Sequence, residues 1–143
     1  MLLEELSGAL AAWADTVLPE LAVAAGQVDR IDQALPMCEA SVVTTELRDD
    51  PRYEQRAERV AEVVLLILAA PEDTQGAART TERIVATLQA AARRDPSLGG
   101  RVQASAAGRA TLAGPNGDPL RVQFSDGTTV RLAVVALTVS WTA

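Results

Sequence analysis

The last stretch of the chain limits the fold more than any other part. From Thr128 to Thr142, Val130, Leu132 and Val134 fall on one face of an extended strand, and Val135, Leu137, Val139 and Trp141 fall on the other. A strand apolar on both faces must be central in its sheet or covered on both sides. The rest of the chain therefore has to supply neighbouring strands and a covering layer.

The covering layer is read first at the N-terminus. Leu2, Leu6, Ala9, Leu10, Trp13 and Val17 form one helical stripe, with Glu4, Glu5 and Asp15 largely off it. This predicts an amphipathic helix that ends near Pro19, with Glu4 and Glu5 suited to the positive end of its dipole. Trp13 reads as a core anchor, with an interface anchor as the alternative. A second helix follows Pro71-Glu72-Asp73-Thr74, where Thr81, Ile84, Val85, Leu88, Ala91 and Ala92 make the apolar stripe and Arg93 and Arg94 suit the C-terminal end.

Strands occupy much of the remainder. Met37 to Leu47 carries Val42, Val43, Thr44 and Thr45, whose β-branched side chains fit a pleated strand. Arg48-Asp49-Asp50-Pro51 reads as a turn. Arg52 to Ala70 fits a heptad helix through Tyr53, Ala57, Val60, Val64 and Ile67, and also an alternating strand, with composition alone leaning slightly to the helix. A strand before it and a clear helix after it select the strand, as the antiparallel partner of Met37 to Leu47. Gly26 to Pro36 reads as a connector with one short extended piece.

Asp95-Pro96-Ser97-Leu98-Gly99-Gly100 stops the second helix, because Pro96 disfavours helical geometry at Asp95 and the glycines permit a reversal. Val102 to Leu112 then reads as a strand of small residues, Ala113 to Pro119 as a loop, and Leu120 to Phe124 as a short strand. Asp126-Gly127 is the turn of a hairpin into the last strand. The fold class is α+β, a mostly antiparallel sheet of roughly four to five strands with an N-terminal and a central helix packed on it, plus a β-hairpin. At 143 residues the chain makes one domain.

Composition then narrows the function. Aromatics are only 3% of the residues, which argues against a deep aromatic-lined ligand pocket. With 13 basic and 19 acidic residues the formal net charge is −6, the opposite of what drives phosphate binding. There is no histidine, so the commonest general base, the usual Ser-His and Cys-His pairs and the commonest zinc ligand are missing. Cys38 is the sole cysteine and reads as a buried, inert thiol. With no secretory leader in the sequence, it points to folding in a reducing cytoplasm. The longest apolar run, Val63 to Ala70, is less than half of a membrane span.

Asp49-Asp50 and Glu72-Asp73 are the candidate carboxylate pairs, and both read as turn or capping residues. Gly114-Pro115-Asn116-Gly117 lacks the lysine and the strand-to-helix setting of a phosphate loop and reads as a hairpin loop. The mixed-sign runs Arg52 to Arg59 and Arg79 to Arg83 read as solvated faces, with a partner surface as the alternative. The sequence therefore predicts a protein that is not an enzyme, with no catalytic residue, no cofactor and no metal.

The segment Asp95-Pro96-Ser97-Leu98-Gly99-Gly100-Arg101-Val102 resembles the D-P-x-L-G-G-x-V passage from main helix to strand in the tail terminator family of long-tailed phages and phage-tail-like particles. The surroundings resemble that family too: an N-terminal helix with a Trp, Leu35-Pro36 before the first strand, an Arg-rich entry into an apolar strand and a long β-rich C-terminus. The likeness covers nearly the whole chain. It implies a ring of about six copies that caps the tail tube and meets the head or neck. The partners implied are the chain itself, the tail tube protein and a neck or head-completion protein. DNA would pass without specific binding, in a virion tail assembled from protein made in the host cytoplasm and without a membrane.

Intersubunit candidates under this resemblance are Trp13, Tyr53, Arg56, Leu98, Asn116, Asp126, Gly127 and Trp141, with the Gly114 to Pro119 loop and the strand edges. The acidic balance suits a channel wall that does not grip DNA. Alternatives are a neck or head-completion connector, a small regulatory or small-molecule-binding α+β domain, and a small enzyme working through carboxylates alone.

Overall fold

The computed structural model describes residues 3–26, 35–49, 57–70 and 74–142. In chain order these give α1 (Leu3–Val17), β1 (Ala22–Ala25), β2 (Met37–Asp49), β3 (Ala57–Ala69), α2 (Thr74–Arg94), β4 (Ala104–Thr111), β5 (Arg121–Gln123) and β6 (Thr129–Thr142). The strands form one sheet in the order β1-β2-β3-β6-β4, with β5 also paired to β6. Every strand pair is antiparallel except β1 with β2.

β6 is central, as its two apolar faces require. It pairs with β3 along one edge and with β4 and β5 along the other. The β3–β6 register sets Ala61 opposite Val139, Val63 opposite Leu137, Leu65 opposite Val135 and Ile67 opposite Ala133. All eight are buried in the main core. β2 adds Cys38 opposite Ile67 and Ala40 opposite Leu65. A one-residue slip would turn every one of these side chains to the other face, so burial fixes the register.

Both helices cover this face. α1 packs on β1 and β2, α2 on β3, β4 and β6, and the helices touch each other. Leu6, Leu10, Trp13 and Ala14 of α1 are buried, as are Ile84, Val85, Leu88 and Ala92 of α2, at the spacing that keeps one helical stripe inward. Thr81 is buried on the same stripe and donates its hydroxyl to the Ala77 carbonyl at 2.6 Å, so it enters the core with its hydrogen bond made.

The opposite face of the sheet is divided. At one end Met37, Leu68 and Val130 form a second buried cluster with Leu35, Val122, Phe124 and Leu132 against it. Further along, Val64, Leu66, Val134 and Ala136 are half-buried, and Glu62 and Thr138 are exposed.

Several expectations are corrected. The sheet has six strands, not four to five, because Ala22–Ala25 joins as a parallel edge strand on β2. Its sequence, Ala-Val-Ala-Ala, holds one β-branched residue, too little to announce a strand. β2 runs through Arg48 and Asp49, paired with Glu58 and Ala57, where the sequence suggests a turn. The ambiguous segment is a strand from Ala57 on, antiparallel to β2 as topology required. Residues 52–56, the connector residues 27–34, Asp50-Pro51 and the Pro71–Asp73 helix start lie outside the described residues.

Candidate functional site

The helix stop is built around one carboxylate. The Asp95 side chain accepts from the Ser97 hydroxyl at 2.6 Å, the Ser97 amide at 3.2 Å and the Gly99 amide at 2.8 Å. Ser97 Oγ in turn accepts from the Gly100 amide at 3.0 Å, and Arg101 Nη1 donates to the Leu98 carbonyl at 3.3 Å. The Ser97 hydroxyl bond, followed by the Gly99 amide bond, holds the Asp95 carboxyl below its ordinary range. The loop turns Leu98 inward at a φ of 51°, with its side chain fully buried.

The β5–β6 hairpin closes through a three-residue loop. Gly127 donates to the Phe124 carbonyl at 3.0 Å and Phe124 to the Thr128 carbonyl at 2.8 Å. Gly127 has a φ of 88°, while Asp126 stays outside the left-handed region and accepts from the Thr128 amide at 2.9 Å. This is a turn finished by a left-handed glycine, not a two-residue turn with both residues left-handed. Beside it, Ala113 bridges to Pro119 and Gly114 donates to the Asp118 carbonyl at 2.8 Å, which closes the loop carrying Asn116.

These positions separate the candidate contact residues. Asn116, Asp126 and Gly127 are exposed on loops. Trp13, Leu98 and Trp141 are buried in the main core, so their side chains hold the helices and sheet together rather than meeting a partner. Tyr53 and Arg56 lie outside the described residues. Among the carboxylate pairs, Asp49 ends β2, and Asp50, Glu72 and Asp73 are outside the described residues.

A cavity of about 490 Å³ lies beside β2, lined by Ser7, Gly26, Glu39, Ser41, Val42, Val43, Val64 and Leu66. Glu39 is only 4% exposed, and its Oε1 accepts from the Ser41 hydroxyl at 2.7 Å. A buried carboxylate at this position is not legible in the sequence, where Glu39 is one polar residue within a strand. The described lining offers one carboxylate, two hydroxyls and aliphatic walls, and within it the Ser41 hydroxyl is paired with the Glu39 carboxylate. Next to Glu39, Cys38 is fully buried, and burial, then the Glu39 charge, push its thiol up to about 12. It is neutral at physiological pH and has the character of a core residue.

Among the described residues no group of three or more Cys, Asp or Glu side chains comes together to hold a metal ion. No described helix is long and apolar enough to cross a membrane. The chain matches no protein-family model, and no curated protein matches it in sequence.

Proposed function

We propose that the chain is a non-enzymatic structural protein of a phage tail or phage-tail-like particle. It sits as a ring on the end of the finished tail tube, stops its polymerisation and offers the surface that joins the head or neck. The observation that carries this reading is the passage from α2 through Asp95-Pro96-Ser97-Leu98-Gly99-Gly100 into β4, set in a chain that resembles the tail terminators along nearly its whole length.

The physical demands of such a part are modest and are compatible with this chain. A ring subunit needs surface for copies of itself, and it needs no reaction centre. The sheet ends in β1 on one side and β4 on the other, and Asn116, Asp126 and Gly127 stand on exposed loops. The net charge of −6 supports a lumen through which DNA slides without being held. The partners in this reading are further copies of the chain, the tail tube protein and a neck protein, in the head-proximal end of the virion tail.

The test is capture by purified tail tubes of the cognate particle, viewed by negative-stain electron microscopy. Density added at one tube end only supports the reading, and binding to portal complexes with none to tubes would favour a neck or head-completion connector. The cavity beside Glu39 favours a second reading, a small-molecule-binding domain. That reading gains if the protein stays monomeric, ignores tubes and is thermally stabilised by a small ligand.

A further inference from the structure

Opposite flanks of the sheet carry opposite charge. From Leu3 to Gly26, the span of α1 and β1, there are four carboxylates, Glu4, Glu5, Asp15 and Glu20, and no basic side chain. From Thr74 to Leu112, the span of α2 and β4, there are six arginines, Arg79, Arg83, Arg93, Arg94, Arg101 and Arg109, against Glu82 and Asp95. All four carboxylates are exposed, as are all these arginines except Arg101, which is half-buried. In a chain whose overall charge is −6 the basic flank is not a reflection of bulk composition.

The fold sets β1 and β4 at opposite edges of the sheet, with the two helices side by side between them. β1 and β4 are the outer strands of the sheet, with α1 packed over the β1 side and α2 over the β4 side. Each outer strand pairs on one side only among the described residues, so each flank offers main-chain hydrogen-bonding groups beside its charges. Within one copy three strands separate the β1 edge from the β4 edge. Between two copies placed side by side in the same orientation, the acidic flank of one faces the basic flank of the next.

We infer that the α1/β1 flank of one copy docks on the α2/β4 flank of a second copy, head to tail. Such a contact uses two different surfaces, so it repeats around a closed ring or along a filament and never ends at a two-fold dimer. Complementary charge sets the order and orientation of the copies and rejects like flanks, while the packed area behind it supplies the affinity. The inference rests on the ring reading for its occupant, a second copy, and adds the two surfaces by which copies join.

The test is a charge swap on the full chain, read by light scattering after size exclusion. One variant carries Glu4→Arg, Asp15→Arg and Glu20→Arg, which turns its flank from −4 to +2, the other Arg83→Glu, Arg94→Glu and Arg109→Glu, which turns its flank from +4 to −2. Far-UV circular dichroism and melting establish that each is folded, and Arg94→Gln with Arg109→Gln removes charge more gently if the reversal does not fold. Each swapped variant alone is expected to be monomeric, and their equimolar mixture is expected to regain the mass of the wild-type assembly. Raising salt from about 50 to about 500 mM is expected to weaken wild-type association by about tenfold or more.

Assembly of either folded variant alone at wild-type mass, or a mixture that stays monomeric, would overturn the inference and leave the ring reading standing. A wild-type chain that is monomeric at every concentration and salt, and on tail tubes, would overturn both.

Discussion

Leu98 holds a left-handed backbone, φ 51°, a conformation that glycine takes most readily, and its side chain is wholly buried. The strain costs about 1–2 kcal/mol, and burying a leucine returns about 1.5–3 kcal/mol, so the side chain is what makes the conformation tolerable. Leu98→Ala keeps the strain and loses the burial, and is expected to destabilise by about 2–5 kcal/mol in urea titrations. Leu98→Gly loses the burial but relieves the strain, so it should be milder than Leu98→Ala by about 1 kcal/mol; the reverse order would refute the backbone argument. Asp95 sets the same loop. Its pKa is lowered on folding, so its contribution is present above the unfolded value and is lost as pH falls through the folded one. The melting-temperature gap between wild type and Asp95→Ala should be steady near neutrality and close below about pH 4. Cys38, with its thiol raised to about 12, should react with a disulfide reagent at least about a hundredfold more slowly in the native protein than in denaturant. The stop at Asp95 was legible because Pro96 and two glycines announce where the chain reverses. That Leu98 turns inward was not, since turn chemistry fixes the reversal and leaves the direction of each side chain to packing.

At the scale of elements, the helices were the most legible parts, because a stripe at helical spacing holds over the whole of each: Leu6, Leu10 and Trp13 in α1, Ile84 and Leu88 in α2. β3 shows what periodicity leaves open. Val60, Val64 and Ile67 fit a helix as well as a strand, and the strand prevails because β6 flanks it on one edge in continuous register and β2 on the other with one shift between Val42 and Thr44. β1 is not legible in the sequence, since four small residues carry almost no pattern of their own, and its place comes from pairing with β2. The bulge in β4 was equally hidden. Between Ala107 and Ala110 the pairing with β6 shifts, and at Gly108 a Cβ would lie 2.9 Å from the Ala136 carbonyl oxygen. The Ala136 backbone is held in the sheet and has little room to yield, so Gly108→Val is expected to destabilise by about 1–3 kcal/mol and to speed amide exchange along β4 and the facing half of β6. Unchanged exchange there would mean the bulge tolerates a side chain. The candidate contact residues divide by the same logic: the turn-forming sequences around Asn116 and Asp126-Gly127 mark exposed loops, Trp13 is the core anchor that its place on the helical stripe suggests, and Trp141 is core as well.

For the whole molecule, the sheet has one helix-covered face, two outer strands and two flanks of opposite charge. Such a body is suited to lateral repetition, which is the physical content of the ring reading. Charge segregation was present in the sequence but had no meaning until the topology set α1 and β1 at one side of the sheet and α2 and β4 at the other. The most direct measurement is the mass of the protein by light scattering after size exclusion over a wide concentration range, with negative-stain images of any large species alone and with purified tail tubes. Closed rings of about six copies are expected, free in solution or formed at one end of the tube. A chain that remains monomeric throughout and leaves the tube ends bare would contradict the ring reading.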